Sequence, residues 1–114
     1  MKKKKPVTTI PPIAVKQALT ALGQRIRIAR LRRGLRLVDV AERVGASRIV
    51  ISAAEKGKST VAISTYLGAL WVLGLLDDVS KVADPDHDMH GKTLESLRAP
   101  KTAAKRKQEL DNDF

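Results

Sequence analysis

Apolar residues recur at helical spacing along most of the chain between Ile13 and Arg98. From Ile13 to Arg33, the positions Val15, Leu19, Leu22, Ile26 and Ala29 share one side of a helical repeat. That pattern predicts either one long helix or two helices divided near Gly23. Gly34 ends the segment, and Arg32 and Arg33 complement the negative end of the helix dipole. Leu37, Val40, Ala41 and Val44 define a second helix, closed by Gly45. Ser47 supplies a hydroxyl N-cap for a third helix running to about Lys56 and stopped by Gly57. Thr60 or Ser59 is expected to cap a fourth, Val61–Leu73, in which Ile63, Leu67, Leu70, Trp71 and Gly74 make a wide apolar or small-residue face suited to a central core helix. Trp71 is therefore read as core. Gly74 and Asp84-Pro85 bracket a short fifth helix, and a sixth, Lys92–Arg98, ends before Ala99-Pro100. No strand-like alternation and no internal repeat is present, so the fold class is all-α.

The ends read differently. Residues 1–12 carry four consecutive lysines and three prolines, which oppose helix and predict a flexible basic arm. The expected division is arm 1–12, helical domain 13–84 with its core at 22–74, linker and short helix 85–100, and a flexible tail 101–114. Prolines and Thr8-Thr9 follow the lysine run where a signal peptide would be continuously apolar. No apolar run approaches the roughly 20 residues that span a bilayer. The expectation is a cytoplasmic protein that does not engage membranes.

Charge sharpens the picture through its position. Residues 1–33 hold five lysines, five arginines and no acid, which equals the whole formal charge of +10. Residues 34–100 carry eight bases and nine acids, and residues 101–114 carry four and three. So one-sided a field attracts polyanions, of which nucleic acid is the commonest in a cytosol and would make the protein nucleoid-associated. Cysteine is absent, which excludes disulfides and thiolate metal sites.

Two helices meeting at a glycine become informative once their small and apolar positions are placed. Gly45 permits the positive φ that turns the chain within a few residues. Ala41 is small where the next helix crosses. Val40, Val44, Ile51 and Ala54 fill the space between the two helices and the body of the domain. Ser47, Arg48, Ile49, Ser52, Ala53 and Lys56 are left outside, a face suited to a DNA major groove.

The segment Leu22–Gly74 resembles the Xre/lambda-repressor-like helix-turn-helix family. LGxRIRxxRxxRGL, LxxVAxxVGxS and ISxxEKGK, read at Leu22–Leu35, Leu37–Ser47 and Ile51–Lys58, carry the likeness. The resemblance implies a five-helix DNA-binding domain whose third helix reads the groove, and an internal ion pair between Arg30 and Glu55. The family usually has Thr-Gln where this chain has Arg36-Leu37. Arg36 retains a phosphate-binding charge, whereas Leu37 has no hydrogen-bonding group.

Arg48 is the expected base reader, since a guanidinium spans O6 and N7 of guanine. Its alternative is a phosphate contact. Ile49 faces either a thymine methyl or its own domain, and Ser47 and Ser52 are expected to meet phosphate or base. Lys56, Lys58, Arg36, Arg25, Arg32 and Arg33, with Arg27 and the arm lysines Lys2–Lys5, are expected to hold the backbone and make binding salt-dependent.

Short half-sites favour a homodimer. Leu75, Leu76, Val79 and Val82 are the expected contact, or else close the monomer core. The segment AISTYLGALWVLGLLDDVSKVADP and the tail ending QELDNDF look like antitoxins of the HipB type. By that resemblance the protein represses its own operon and binds a HipA-like kinase toxin, with Leu110 and Phe114 as candidate anchors. The alternatives are a stand-alone phage-like or metabolic repressor, or a basic RNA-associated protein. The latter is disfavoured because three aromatic residues make no stacking platform. Asp84, Asp86, Asp88, His90 and Glu95 echo a calcium loop, but Met89 stands where that loop needs glycine, so they read as an acidic linker. No catalytic residues and no cofactor are expected.

Overall fold

In the computed structural model, residues 10–98 are described, and all their regular structure is helical. The order is α1 (Ile13–Arg32), α2 (Leu37–Val44), α3 (Arg48–Glu55), α4 (Ile63–Val72), a 3₁₀ helix (Leu76–Lys81) and α5 (Met89–Leu97). The chain divides into two compact units between Val79 and Ser80.

In the first unit, α1 runs unbroken through Gly23. That glycine is a packing point, not a hinge. A Cβ there would lie 2.7 Å from the carbonyl oxygen of Glu55 and closer still to that of Ala54. Only a residue without a side chain lets α1 cross the end of α3 so closely. Small residues at other core positions, Ala29, Ala41, Ala54 and Ala69, serve the same end. Ile26, Val40 and Ile51 are almost wholly buried, and Tyr66, Leu70 and Leu73 of α4 and its end complete the core. Each such aliphatic side chain contributes roughly 1.5–3 kcal/mol on burial.

Gly45 adopts φ 79°, and the amides of Gly45 and Ala46 both donate to the Ala41 carbonyl, at 2.9 and 3.0 Å. Both bonds go to one carbonyl of the last turn of α2 and close the helix there. Ser47 then caps α3, its Oγ accepting from the Val50 amide at 3.2 Å.

Three boundaries and one burial differ from the sequence reading. The fourth helix starts at Ile63, and its N-cap is Ala62, not Ser59 or Thr60. Ser59 and Thr60 form a turn instead, in a stretch where the Lys58 amide donates to the Ala53 carbonyl and the Tyr66 hydroxyl to the Lys58 carbonyl at 2.6 Å. The fifth helix is a tighter 3₁₀ segment, ended before Ala83, which takes φ 58° ahead of Pro85. In the second unit, α5 begins at Met89, earlier than Lys92, because Asp88 caps it by accepting from the Gly91 amide at 2.9 Å. Asp84 is likewise engaged locally, by the Asp86 amide and by His87 Nδ1 at 2.7 Å. Trp71 is not core: it is 61% exposed. The buried side of α4 is Tyr66, Ala69 and Leu70, and Trp71 projects about 150° from the centre of that side, with its C-terminal extension at Leu73, at 100° per residue.

Candidate nucleic-acid interface

The outer surface of α3 is a built feature. Its inner residues Ile51, Ala54 and Glu55 are buried, so helical periodicity turns Arg48, Ile49, Ser52 and Ala53 outward. With Leu37 from the start of α2, and Lys56 and Lys58 from the loop after α3, they line one open concavity of about 310 Å³. Arg48, Lys56 and Lys58 are exposed and make no hydrogen bond or ion pair through their side chains among the described residues. Ile49 is 75% exposed, which excludes its packing into its own domain. Ser52 and Ala53 line it as well and are half-buried.

A buried ion pair fixes the tilt of this helix. Arg30 Nε and Nη2 donate to Glu55 Oε2 and Oε1 at 2.7 and 3.0 Å. Its Nη1 donates to the Leu35 carbonyl at 2.9 Å. One guanidinium therefore ties together α1, the turn into α2 and the last residue of α3. The Glu55 hydrogen bond holds the Arg30 guanidinium above its ordinary pKa, against the opposing effect of burial. Both side chains are less than one-tenth exposed.

Arg36 occupies the N-cap of α2, where its side chain offers no acceptor. Asp39 supplies the missing half of the cap. Its Oδ2 accepts the Arg36 amide at 2.7 Å, and its carboxylate meets the Arg36 guanidinium at 3.0 Å. The Arg36 side chain, and then its amide, hold the Asp39 carboxyl below its usual range. Arg36 thus has part of its charge already balanced by Asp39.

The remaining basic residues distribute unevenly. Arg33 folds back, its Nη1 donating to the Ala29 carbonyl at 2.8 Å. Arg25 and Arg32 sit about 180° and 160° round α1 from Lys16, which borders the loop carrying Lys56 and Lys58. The structure therefore does not bring Arg25 and Arg32 to the α3 surface. Lys16, which sequence reasoning passed over, is brought beside the loop that follows α3, in a hollow that Lys56 and Lys58 also line. The signal was present: in an unbroken α1, Lys16, Thr20, Gly23 and Arg27 form one stripe, and Gly23 lies against α3. Leu75 and Val79 pack against the monomer core and Leu76 is half-buried, whereas Val82 is 72% exposed and belongs to the second unit. The arm lysines Lys2–Lys5 and the tail residues Leu110 and Phe114 lie outside the described residues.

The sequence model of one family, the helix-turn-helix domain, matches residues 21–81, more than half of the chain. No curated protein and no solved structure matches the chain. No helix among the described residues is long and apolar enough to cross a membrane.

Proposed function

Because the chain belongs to the helix-turn-helix domain family, we propose that it is a sequence-specific transcriptional repressor that seats α3 in the major groove of double-stranded DNA. The observation that carries this reading is the exposed, uncompensated cationic concavity around Arg48, Ile49, Ser52 and Lys56, held in place by the buried Arg30–Glu55 pair. Arg48 reads a guanine edge, Ile49 contacts a thymine methyl, and Lys56, Lys58 and Arg36 hold phosphates.

The test is a gel-shift titration against operator variants, using a duplex selected by the wild-type protein from random sequences. Arg48→Ala should lose roughly 1–3 kcal/mol of discrimination at one or two base pairs. Lys→Ala changes at Lys2–Lys5 should weaken binding to every variant alike. Equal losses at all variants for Arg48→Ala would refute its base-reading role.

One domain of this kind reads only a half-site, which supports a homodimer. With Leu75 and Val79 turned toward their own core, the better-placed contact is the exposed side of α4, where Ile63 and Trp71 are 72% and 61% exposed. A tryptophan there suits a protein interface, because it buries a large area at low entropic cost. The antitoxin role rests on the likeness of Ala62–Pro85 and of the tail to HipB-type proteins. On that reading the chain represses its own operon and binds a HipA-like kinase. Recovery of the protein from its native host, with identification of co-purifying DNA and protein and sedimentation of the complex, tests both points. A monomer bound to DNA would remove the dimer, and DNA without a kinase would leave a stand-alone repressor.

A further inference from the structure

A second hollow, of about 420 Å³, adjoins the α3 surface. One wall is the start of α1, with Lys16, Leu19 and Thr20, and the segment before it, with Ile10 and Pro11. The other is the loop after α3, from Lys56 to Thr60. The α1 wall belongs to that helix's first two turns, which lie just ahead of the matched residues 21–81.

The junction is tight. Gly57 has φ 73°, and a Cβ on it would lie 2.5 Å from Thr20 Cα and 2.6 Å from the Leu19 carbonyl carbon. The loop backbone therefore rests directly on α1, with Lys56 and Lys58 on either side of the contact. Tyr66 fixes the loop from beneath through its bond to the Lys58 carbonyl. Three lysines thus line one hollow, with Thr20, Ser59 and Thr60 beside them and no acidic residue in its lining. Like charges gathered by a rigid contact repel, and an anion between them relieves that repulsion. The hydroxyls add donors of the kind that phosphate oxygens accept.

We infer that this hollow is a phosphate site, and that its occupant is a backbone phosphodiester of the same DNA that lies on α3. Lys56 and Lys58 line both hollows, so an anion held by Lys16 sits next to the duplex and not at a separate locus. The first turns of α1 then lengthen the DNA footprint beyond the recognition helix without reading sequence. This inference rests on the DNA-binding reading above.

The experiment compares wild type, Lys16→Gln and Arg25→Gln on a mixed-sequence duplex across a salt series. Each phosphate contact contributes about 0.9 to the slope of log K against log salt. Lys16→Gln should lower the slope by about that amount, and Arg25→Gln, on the far side of α1, should leave it unchanged. In parallel, inorganic phosphate at constant ionic strength should move the amide resonances of Thr20, Gly57 and Lys58 in wild type and much less in Lys16→Gln. A slope unchanged by Lys16→Gln overturns the inference while leaving the reading of α3 intact. Amide shifts without a slope change would assign the hollow to free phosphate and overturn it too. Equal slope losses in Lys16→Gln and Arg25→Gln would reduce Lys16 to general charge. A wild-type protein that binds no duplex at all would sink the α3 reading itself.

Discussion

The Arg30–Glu55 pair is both the most buried polar element of the domain and the tie that orients α3, so its removal is the sharpest test of the architecture. Glu55→Leu leaves a guanidinium less than one-tenth exposed with only the Leu35 carbonyl as partner. Arg30→Met leaves the carboxylate buried and strands the Leu35 carbonyl as well. Breaking a buried pair from one side costs about 3–5 kcal/mol, a large part of the 5–15 kcal/mol typical of a whole domain. Arg30→Met should be the worse of the two, because it deletes three hydrogen bonds at once. Replacing both residues by apolar ones of similar length removes the charges together, and such swaps are often close to neutral. The double variant should therefore be more stable than either single one, with a coupling of about 3 kcal/mol or more. Urea denaturation reads this directly. At a slope of roughly 1–1.5 kcal/mol/M for a domain this small, each single change moves the midpoint down by about 2–5 M. If the double variant shows the sum of the two losses, the residues do not act as a pair and the orientation of α3 is fixed by packing alone.

Two further outcomes follow from local geometry. Asp39 is held below its ordinary pKa, so its contribution to stability is present above the unfolded value of about 3.9 and disappears as pH falls through the lower folded value. The stability difference between wild type and Asp39→Asn should be flat near neutrality and close in acid, and salt should shrink it because the pair is exposed; a difference independent of pH would rule out the carboxylate as its source. Gly23→Ala gains about 1 kcal/mol of helix propensity but drives a Cβ into two backbone carbonyls that no rotamer change can move. Overpacking of this kind costs roughly 1–3 kcal/mol, so the variant should melt lower than wild type, and a higher melting temperature would mean that α1 and α3 lie further apart than described.

Much of the fold was legible because its signals are local. Gly45 and Ser47 announce the turn and the cap by their own chemistry, and the periodicity of Val40, Ala41, Val44, Ile51 and Ala54 sets which side of each helix is inward. The start of α4 was less legible. Ser59 and Thr60 have the chemistry of caps, but Tyr66, eight residues beyond Lys58, captures the Lys58 carbonyl and holds that stretch as a turn. Trp71 misled for another reason. Almost every residue of α4 is apolar or small, so its pattern has no polar side to mark the solvent, and hydrophobicity alone cannot orient it.

The basic residues teach the same lesson about orientation. The excess charge was visible in residues 1–33, but charge has no direction in a sequence until the helix that carries it is known to be continuous. A break at Gly23 would have left the angular relation of Lys16 to Arg25 undefined. The unbroken α1 places them about 180° apart, so neighbours in charge become opposites in position. What requires the glycine is a contact distant in sequence: the carbonyls of Ala54 and Glu55 occupy the space that any side chain at residue 23 would need. The glycine that weakens the helix locally is the one that lets α3 seat against it. The division of α1 into an α3-side and an outer set of basic residues therefore rests on tertiary packing as well as on residue spacing within α1.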